Sequence, residues 1–500
     1  MSLYVLEAKD CLPFEIKGGN KKPIIVDTAM RQFCNYWYKT DGYSNDDDYL
    51  ARMKTTQTFD SENPSTQWWA GRYIGIARLK VPSNSTFHRI NISIRPRFGE
   101  NFLLAILEDL YNIKIGQHDA IVTQSSEWFS SLLHLLQKRM WVEKCSKANR
   151  YGLPRTNVKR EHQGATLRGA LDVRRTIKPW LIKQEICSNT FEKVLDERIC
   201  KIVYEAHRIL SQNIVSQEKK KVKSPNSNVG FGFSMPPTVQ DIINSLNAQF
   251  KGTQFGYKEN DYQRIRYKSI YLSWKPLVDF SWSVIRGRQL GCSASDTQTE
   301  CVFVDMAEIW ESFLRKKLGE GLREDGWRVL SVEECRFEIY KGKFYQRDII
   351  PDIILEHERD GLKEYMVFDA KYKRMRGVRA NVKYSDVDRL DLFQIHTYIQ
   401  FVQRHLGKVI LGGLLYPISK KGINDDGTLY EYSESDVIDT TLYHSDNLFG
   451  VEGKDNSHKI PFIVDGIYCS ENDNKDKLDS SVRAMINRIQ DIIKKNTLNN

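Results

Sequence analysis

The sequence lacks the features that mark membrane, secreted and zinc-binding proteins. Its 500 residues contain no apolar run long enough to cross a bilayer, and the first ten do not resemble a secretory signal. The nine Cys form no Cys-x-x-Cys pair, which argues against a zinc ribbon or a redox motif. Because scattered thiols are typical of a reducing compartment, we expect a cytoplasmic protein without a membrane span.

A nucleotide-binding loop is also missing. The sequence contains no GxxxxGK[ST] pattern, in which backbone N–H groups and a lysine cradle phosphates. We therefore expect no nucleotide site of its own, and any nucleotide-driven step has to come from another chain.

Charge and composition give only a general indication of function. The chain is 41% hydrophobic and 28% charged, which is ordinary for a globular protein. Its 74 Lys and Arg exceed the 64 Asp and Glu, for a net charge of +10. This excess favours a polyanionic partner such as DNA without requiring one.

The pattern of apolar residues predicts a mixed α/β (α+β) protein in three regions. Residues 1–150 read as a β-rich and helical domain, and residues 151–290 as a helical region with a basic linker near 216–237. Residues 291–500 read as a domain with a central mixed sheet flanked by helices. The predicted helices cover 101–113, 124–145, 189–218, 302–318, 387–405 and a stretch from 480; the predicted strands of the last region cover 336–340, 349–356, 365–371 and 408–416.

A pair of apolar strands in the last region carries the acidic residues of greatest interest. Residues 347–374 contain two strands around a polar turn, and side chains alternate between the faces of a strand. If the strands pair as a hairpin, Asp352 approaches Asp369 and Lys371. An Asp at the apolar end of a buried strand is costly without a partner or a metal ion.

This grouping suits the hydrolysis of a phosphodiester. Asp352 and Asp369, with the backbone carbonyl of Ala370, offer the oxygen ligands that Mg²⁺ prefers, and we expect Mn²⁺ to substitute. Lys371 either orients or deprotonates a water molecule, or offsets developing negative charge. Acid-x-Lys triplets such as Glu7-Ala8-Lys9 recur in this chain, so the alternative is a hairpin with solvated end charges.

Two helices contribute further candidates. Glu308 and Glu311 lie three residues apart on one helix, so either could supply another carboxylate or simply face solvent. Asp391, Gln394 and Tyr398 share a face of a later helix. Gln394 and Tyr398 could hydrogen-bond DNA phosphates or metal-bound water, and the alternative for Tyr398 is an ordinary core aromatic.

Basic residues elsewhere are candidates for DNA contact or for solvated surface. Phosphate contacts of this kind give affinity without sequence reading. The candidates are Lys219, Lys220, Lys221, Lys223, Arg174 and Arg175.

Several motifs resemble the PD-(D/E)xK nuclease superfamily and, within it, the McrC family of restriction subunits. The nuclease motifs are Pro351-Asp352, Asp369-Ala370-Lys371 and Gln394-x-x-x-Tyr398. FVDMAEIWESFL at 303–314 is similar to the family's first nuclease helix, LGGLLYP at 411–417 to a following strand, and LRGALDVRRTI at 167–177 to an upstream segment.

The resemblance implies a restriction-endonuclease-like domain with Asp352, Asp369 and Lys371 as catalytic residues. The position that is usually acidic in the first helix falls on Glu311. The resemblance also implies a magnesium-dependent DNA endonuclease of a restriction or anti-phage system that works with a McrB-like AAA+ GTPase or ATPase. Residues 1–150 are then the candidate motor-engaging region, around Trp68, Trp69, Arg72, Arg95 and Arg97, although an ordinary domain surface explains these residues equally.

Two other functions remain open at this stage. One is a non-cleaving DNA-binding scaffold that stimulates the motor, and the other is a stand-alone repair or end-processing nuclease. Double-strand cleavage needs two centres or one that acts twice, so dimerisation is a further alternative.

Overall fold

A computed structural model describes most of the chain. The described residues are 3–17, 26–28, 30–31, 50–56, 65–83, 86–111, 126–221, 235–253, 255–256, 258–291, 301–341, 346–359, 361–373, 375–376, 387–419, 421–423, 429–431, 443–445, 460–471 and 473–498.

Strands and helices occur in runs along the described residues: six strands lie between Leu3 and Arg95, and four α-helices follow one another between residues 197 and 291. The strands are β1 (Leu3–Lys9), β2 (Glu15–Lys17), β3 (Ala51–Thr56), β4 (Ser65–Ala70), β5 (Tyr73–Ser83), β6 (Thr86–Arg95), β7 (Arg155–Gly164), β8 (Ala170–Leu171), β9 (Ile186–Leu195), β10 (Cys301–Asp305), β11 (Arg328–Val329), β12 (Phe337–Lys341), β13 (Gln346–Ile349), β14 (Ile353–Arg359), β15 (Leu362–Ala370), β16 (Met375–Arg376), β17 (Lys408–Ser419), β18 (Lys421–Ile423), β19 (Leu429–Glu431), β20 (Tyr443–Ser445) and β21 (Phe462–Cys469). The α-helices are α1 (Gly99–Tyr111), α2 (Ser126–Ala148), α3 (Val173–Lys183), α4 (Glu197–Lys221), α5 (Pro237–Phe250), α6 (Glu259–Gln263), α7 (Lys275–Gly291), α8 (Met306–Gly321), α9 (Arg389–His405) and α10 (Lys475–Leu498).

The N-terminal sheet includes a strand from much later in the chain. Its order is β10-β5-β6-β1-β2, and β10 pairs antiparallel with β5. The helix predicted from residue 302 was therefore wrong at its start, because residues 301–305 form a strand. Helix α8 begins at Met306 instead, and the side chain of Asp305 caps it by accepting a hydrogen bond from Ala307 N at 2.9 Å.

The second sheet carries the predicted acidic hairpin. Its order is β11-β14-β15-β17-β21-β20, with β14 and β15 antiparallel and β15, β17 and β21 parallel. Alternate residues of β15 face opposite cores. Met366 and Phe368 pack with α8 and α10, whereas Tyr365 and Val367 pack with α9. Helices therefore cover both faces of the sheet.

The middle region differs most from its prediction. The helix predicted at 189–218 begins only at Glu197, because residues 186–195 form β9, which pairs with β7 along its full length. That pairing lies outside any local window of sequence. The linker predicted at 216–237 is helical as far as Lys221, and α5 starts at Pro237; residues 222–234 lie outside the described part.

The remaining predictions of secondary structure agree with the structure to within a few residues. The mixed α/β class is confirmed, with mixed sheets flanked by helices. Within the described residues, no helix combines the length and apolar character that a membrane span needs. One hydrophobic core joins residues of β5, α1 and α2 to residues of α8, β15 and α10. The predicted N-terminal and C-terminal regions thus pack against each other.

Candidate active site

The β14–β15 hairpin brings the two predicted aspartates together. Ile353 faces Phe368 across the hairpin, which places Asp352 just before β14 and beside the end of β15. There, Asp352 Oδ2 accepts a hydrogen bond from Ala370 N at 2.9 Å. Sequence alternation had predicted this proximity, and the register of the hairpin produces it.

Lys371 lies at the centre of the cluster. Its Nζ is 2.9 Å from Asp369 Oδ2 and donates to Gln394 Oε1 at 2.8 Å. Asp391 Oδ1 is 3.5 Å from the same ammonium group. The main-chain N of Lys371 donates to Leu415 O at 3.0 Å, so the neighbouring strand β17 fixes the position of the Lys371 main chain.

One face of α9 closes the cluster, as the spacing of its polar residues predicted. Gln394 Nε2 donates to the Tyr398 hydroxyl at 2.6 Å. Asp391 accepts from Lys373 Nζ at 2.9 Å and from the Tyr416 hydroxyl at 3.3 Å. Asp388 caps the helix by accepting from Leu390 N, which sets where α9 begins.

Burial makes the aspartates unusual. Asp369 is fully buried, and neither of its carboxylate oxygens accepts a well-aligned hydrogen bond from another described residue. Burial and then the charge of Asp352 raise the pKa of Asp369 well above its ordinary value, although Lys371 opposes the shift. Burial also raises the pKa of Asp352.

Lys371 remains a cation despite its burial. Burial alone would lower the pKa of Lys371, but Asp369 and Asp391 outweigh it, and the pKa is raised. A charged ammonium group therefore stands beside carboxylates that otherwise repel each other. This arrangement offers a positive charge and two oxygen ligands at one point.

The two glutamates of α8 behave differently from each other. Glu311 is half-buried, and burial raises its pKa to about 7, with the charges of Glu308 and Asp369 contributing. Glu308 instead forms an ion pair with Lys144 of α2. Local helix spacing could not distinguish the two, because Lys144 lies far away in sequence.

The donor set suits Mg²⁺, which binds through one or two carboxylates and retains several waters. Asp352 and Asp369 would hold such an ion, and the unsatisfied oxygens of Asp369 are the groups that a cation would satisfy. Among the described residues, no three His, Cys, Asp or Glu side chains form a group that could hold a metal ion. A metal-binding role for Glu311 or for the Ala370 carbonyl thus remains a prediction.

Sequence reasoning missed Arg315, which supports the entry to β14. Its guanidinium donates to the main-chain oxygen of Asp352 and, at 2.6 Å, to Leu330 O. Arg315 lies one helical turn after Glu311, so its position on that face of α8 was the available signal.

The two basic candidates with described side chains belong to a different helix, α3. Arg174 and Arg175 are exposed in the first turn of α3, where Arg175 pairs with Glu161. Lys219, Lys220 and Lys221 occupy the last turn of α4, and their side chains lie outside the described residues, as does all of Lys223.

The candidate motor-engaging residues mostly make internal contacts. Arg72 pairs with Asp305 at 2.8 Å and Arg95 with Glu100 at 2.6 Å. Trp68 donates to Asp27 at 3.1 Å, and Arg97 is only 8% exposed. Arg97 therefore cannot present its side chain to a partner in this conformation.

Comparison with known proteins gives the family. The family model described as the McrBC 5-methylcytosine restriction system component matches residues 69–417, which is more than half of the chain. The chain belongs to this McrBC family. The resemblance to the McrC family that its motifs indicated is thereby confirmed. No curated protein matches the chain.

Solved structures of McrBC assemblies are also similar to the chain. A refined half-complex from a tetradecameric assembly of Thermococcus gammatolerans McrB AAA+ hexamers with bound McrC is 16% identical, with 97% of this chain and 100% of that chain covered and a TM-score of 0.38. The cryo-EM structure of the Thermococcus gammatolerans McrBC complex is also 16% identical, with 64% of this chain and 88% of that one covered and a TM-score of 0.31.

Within the family match, the 167–177 motif has a structural explanation. Gly169 has a φ of +83°, and a side chain there would meet Asn189 O at 2.4 Å. Thr176 Oγ1 donates to Asp172 O at 2.7 Å and accepts from Cys187 N at 2.9 Å. These two residues therefore shape the turn into α3 and its attachment to β9.

Proposed function

We propose that this member of the McrBC family is the magnesium-dependent DNA endonuclease subunit of a restriction or anti-phage system, in the manner of McrC. The observation that carries the proposal is the cluster of Asp352, Asp369 and Lys371 at the buried end of β15. A fully buried carboxylate that lies against a second carboxylate destabilises the fold even with Lys371 beside it, and functional sites are where such an arrangement is retained.

Each residue has a role in phosphodiester hydrolysis. Asp352 and Asp369 would hold the metal ion, which when bound would polarise the phosphate and lower the pKa of a water molecule. Lys371, held by Gln394 and Asp369, places a positive charge where the phosphate gains negative charge. Gln394 in turn is oriented by Tyr398, so the ammonium group has a defined position.

An exposed apolar lobe supports a protein partner, which we propose is an AAA+ motor. The lobe comprises β7, β8, β9 and α3, that is, residues 155–195. Leu181 and Ile182 are each 78% exposed and Phe191 is 69% exposed, which is uncommon for a surface without a partner. The lobe contains nine Lys or Arg and four Asp or Glu, a net charge of +5, so its partner surface should carry acidic residues.

The experiment is a pull-down followed by a cleavage assay. The tagged chain should capture a nucleotide-hydrolysing protein from its own cells, and the pair should cut DNA in Mg²⁺ but not in EDTA. Methylated and unmethylated DNA would be compared in parallel. Equal cutting in EDTA would contradict the proposed metal dependence.

A second function, stimulation of the motor, is favoured by the separation of the apolar lobe from the acidic cluster. No residue of the lobe is among the described partners of Asp352, Asp369 or Lys371. A chain with Asp352→Ala and Asp369→Ala together should still raise the partner's rate of nucleotide hydrolysis. Loss of stimulation in this folded variant would show that the two functions are not separable.

A further inference from the structure

A buried arginine of the N-terminal region reaches the segment that follows β15, the strand that carries Asp369. Arg97 follows β6, yet its Nη2 donates to the main-chain oxygen of Lys373 at 2.7 Å. Its guanidinium carbon lies 4.6 Å from the centre of the Tyr372 ring. Arg97 therefore contacts the two residues that directly follow Lys371.

Asp10 keeps the arginine in place. Its Oδ1 accepts from Arg97 N at 2.5 Å, and its Oδ2 is 3.7 Å from Arg97 Nε. The main-chain N of Asp10 donates to Arg95 O at 2.9 Å, which ties the end of β1 to the end of β6. Both side chains are buried, so the pair is shielded from solvent.

Lys373 carries the contact onward to the acidic cluster. Its Nζ donates to Asp391 Oδ1 at 2.9 Å and lies 3.3 Å from Asp388 Oδ2, at the start of α9. The same Asp391 oxygen is 3.5 Å from Lys371 Nζ. A continuous set of contacts thus runs from Arg97 through Lys373 and Asp391 to Lys371.

We propose that Arg97 is a positioning residue of the nuclease centre, an inference that rests on the proposed function. It holds the main chain at Lys373 and the ring of Tyr372, so that Lys373 stays against Asp391 and Lys371 stays beside Asp369. Arg97 touches no reacting atom. Arg97 belongs to the segment after β6 of the N-terminal sheet. Cutting therefore depends on how the N-terminal sheet and the sheet that carries Asp369 are joined.

The test compares Arg97→Met, Arg97→Lys, Lys373→Met and the Arg97→Met/Lys373→Met double variant in the complex with the motor. Arg97→Met should lower kcat for cutting by about tenfold to a hundredfold and leave KM for DNA unchanged, because displacement of a reacting group by about 1 Å can cost a hundredfold. Arg97→Lys keeps a charged donor and should restore part of the rate. The double variant should lose little more than the worse single variant.

Lys9→Met is the matched control. Lys9 also bridges the N-terminal sheet to the C-terminal region, through Glu471 at 2.6 Å, but both side chains are exposed. The kcat of Lys9→Met should equal that of the parent. If Arg97→Met fails to fold, Arg97→Lys and Lys373→Met carry the test.

Three results would overturn the inference. The first is an unchanged kcat in folded Arg97→Met. If that variant does not fold, the equivalent result is an unchanged kcat in both single variants Arg97→Lys and Lys373→Met. The others are losses that multiply in the double variant, and a change in KM alone. In each of these cases a parent that cuts in Mg²⁺ leaves the proposed function standing. A parent that never cuts overturns both.

Discussion

At the scale of the residue, Asp369 is the group least suited to its surroundings. Burial and the neighbouring Asp352 both oppose its ionisation, and no described residue gives it a well-aligned hydrogen bond. Strand alternation predicted that Asp352, Asp369 and Lys371 would meet, because side chains two apart share a face. The ion pair of Glu308 with Lys144 was not predictable, since Lys144 belongs to another helix.

Replacement of Asp369 by Asn should stabilise the metal-free protein. The substitution removes the repulsion between two neighbouring carboxylates, and the Asn side chain keeps an oxygen that can accept from Lys371. We expect Tm in EDTA to rise by about 2–4 °C, the size that roughly 1 kcal/mol produces in a domain of 150–250 residues. Calorimetry of the parent and of Asp369→Asn in EDTA measures this difference in Tm.

Magnesium provides the control for this prediction. Mg²⁺ should raise the Tm of the parent, because a ligand that binds only the folded state stabilises it, and it should raise that of Asp369→Asn much less. A variant that is less stable than the parent in EDTA would contradict the account of Asp369.

Glu311 should make the metal-free stability depend on pH. Its pKa is raised from 4.5 to about 7 in the folded state, so the folded state holds the proton more tightly than the unfolded state. Stability is consequently lost as the pH rises from 4.5 through 7. Relative to the parent, Glu311→Gln should gain about 1 kcal/mol or more in free energy of unfolding between pH 5 and pH 8 in EDTA.

Urea unfolding of both proteins at the two pH values measures this difference. Glu358→Gln is a suitable control, because Glu358 is exposed near the end of β14. A parent–variant difference that is the same at pH 5 and pH 8 would be inconsistent with the raised pKa.

At the scale of the element, secondary structure was predicted correctly where the local pattern of apolar residues determines it. It was predicted wrongly where pairing with a strand far away in sequence determines it. The alternation in β15 and the spacing in α9 are local, and both elements were predicted. β10 and β9 depend on pairing with β5 and β7, which lie far away in sequence, and both were assigned to helices.

Gly466 in β21 should be irreplaceable for a steric reason. A Cβ at this position would lie 1.8 Å from Tyr416 O in the paired strand β17. Gly466→Ala should lower the free energy of unfolding by about 1–3 kcal/mol or more. It should also slow cutting, since Leu415, next to Tyr416, accepts the hydrogen bond from Lys371 N.

Gly164→Ala provides the comparison, because no atom lies within 4 Å of a Cβ built there. Chemical denaturation should place this variant within about 0.5 kcal/mol of the parent. Equal stabilities for the two variants would show that β17 and β21 can separate without cost.

At the scale of the whole molecule, one protein combines a buried acidic cluster with an exposed apolar lobe. The motifs predicted the family and the cluster. They did not reveal the lobe's exposed side chains, because exposure of Leu181 and Ile182 depends on what packs around α3. Nor did they reveal that Arg97 of the N-terminal region reaches Lys373.

The lobe should be required for the motor but not for folding. Leu181→Glu with Ile182→Glu should weaken capture of the AAA+ partner at least tenfold, because buried carboxylates would replace apolar contacts. Leu362→Glu, at a 72% exposed position of β15, should leave capture unchanged. Unaltered capture by the lobe variant, measured by surface plasmon resonance, would place the motor elsewhere.

The central claim, that Asp369 and Lys371 form a nuclease centre, is tested most directly by single-turnover cutting of DNA. The parent, Asp369→Ala, Lys371→Ala and the control Lys363→Ala would be compared in Mg²⁺ with the motor present; Lys363 lies in the same strand as Asp369, is itself exposed and pairs with Glu356. We predict that Asp369→Ala and Lys371→Ala lose cutting by about a hundredfold or more, whereas Lys363→Ala cuts like the parent. Parent-like cutting by both Asp369→Ala and Lys371→Ala would contradict the assignment of the site.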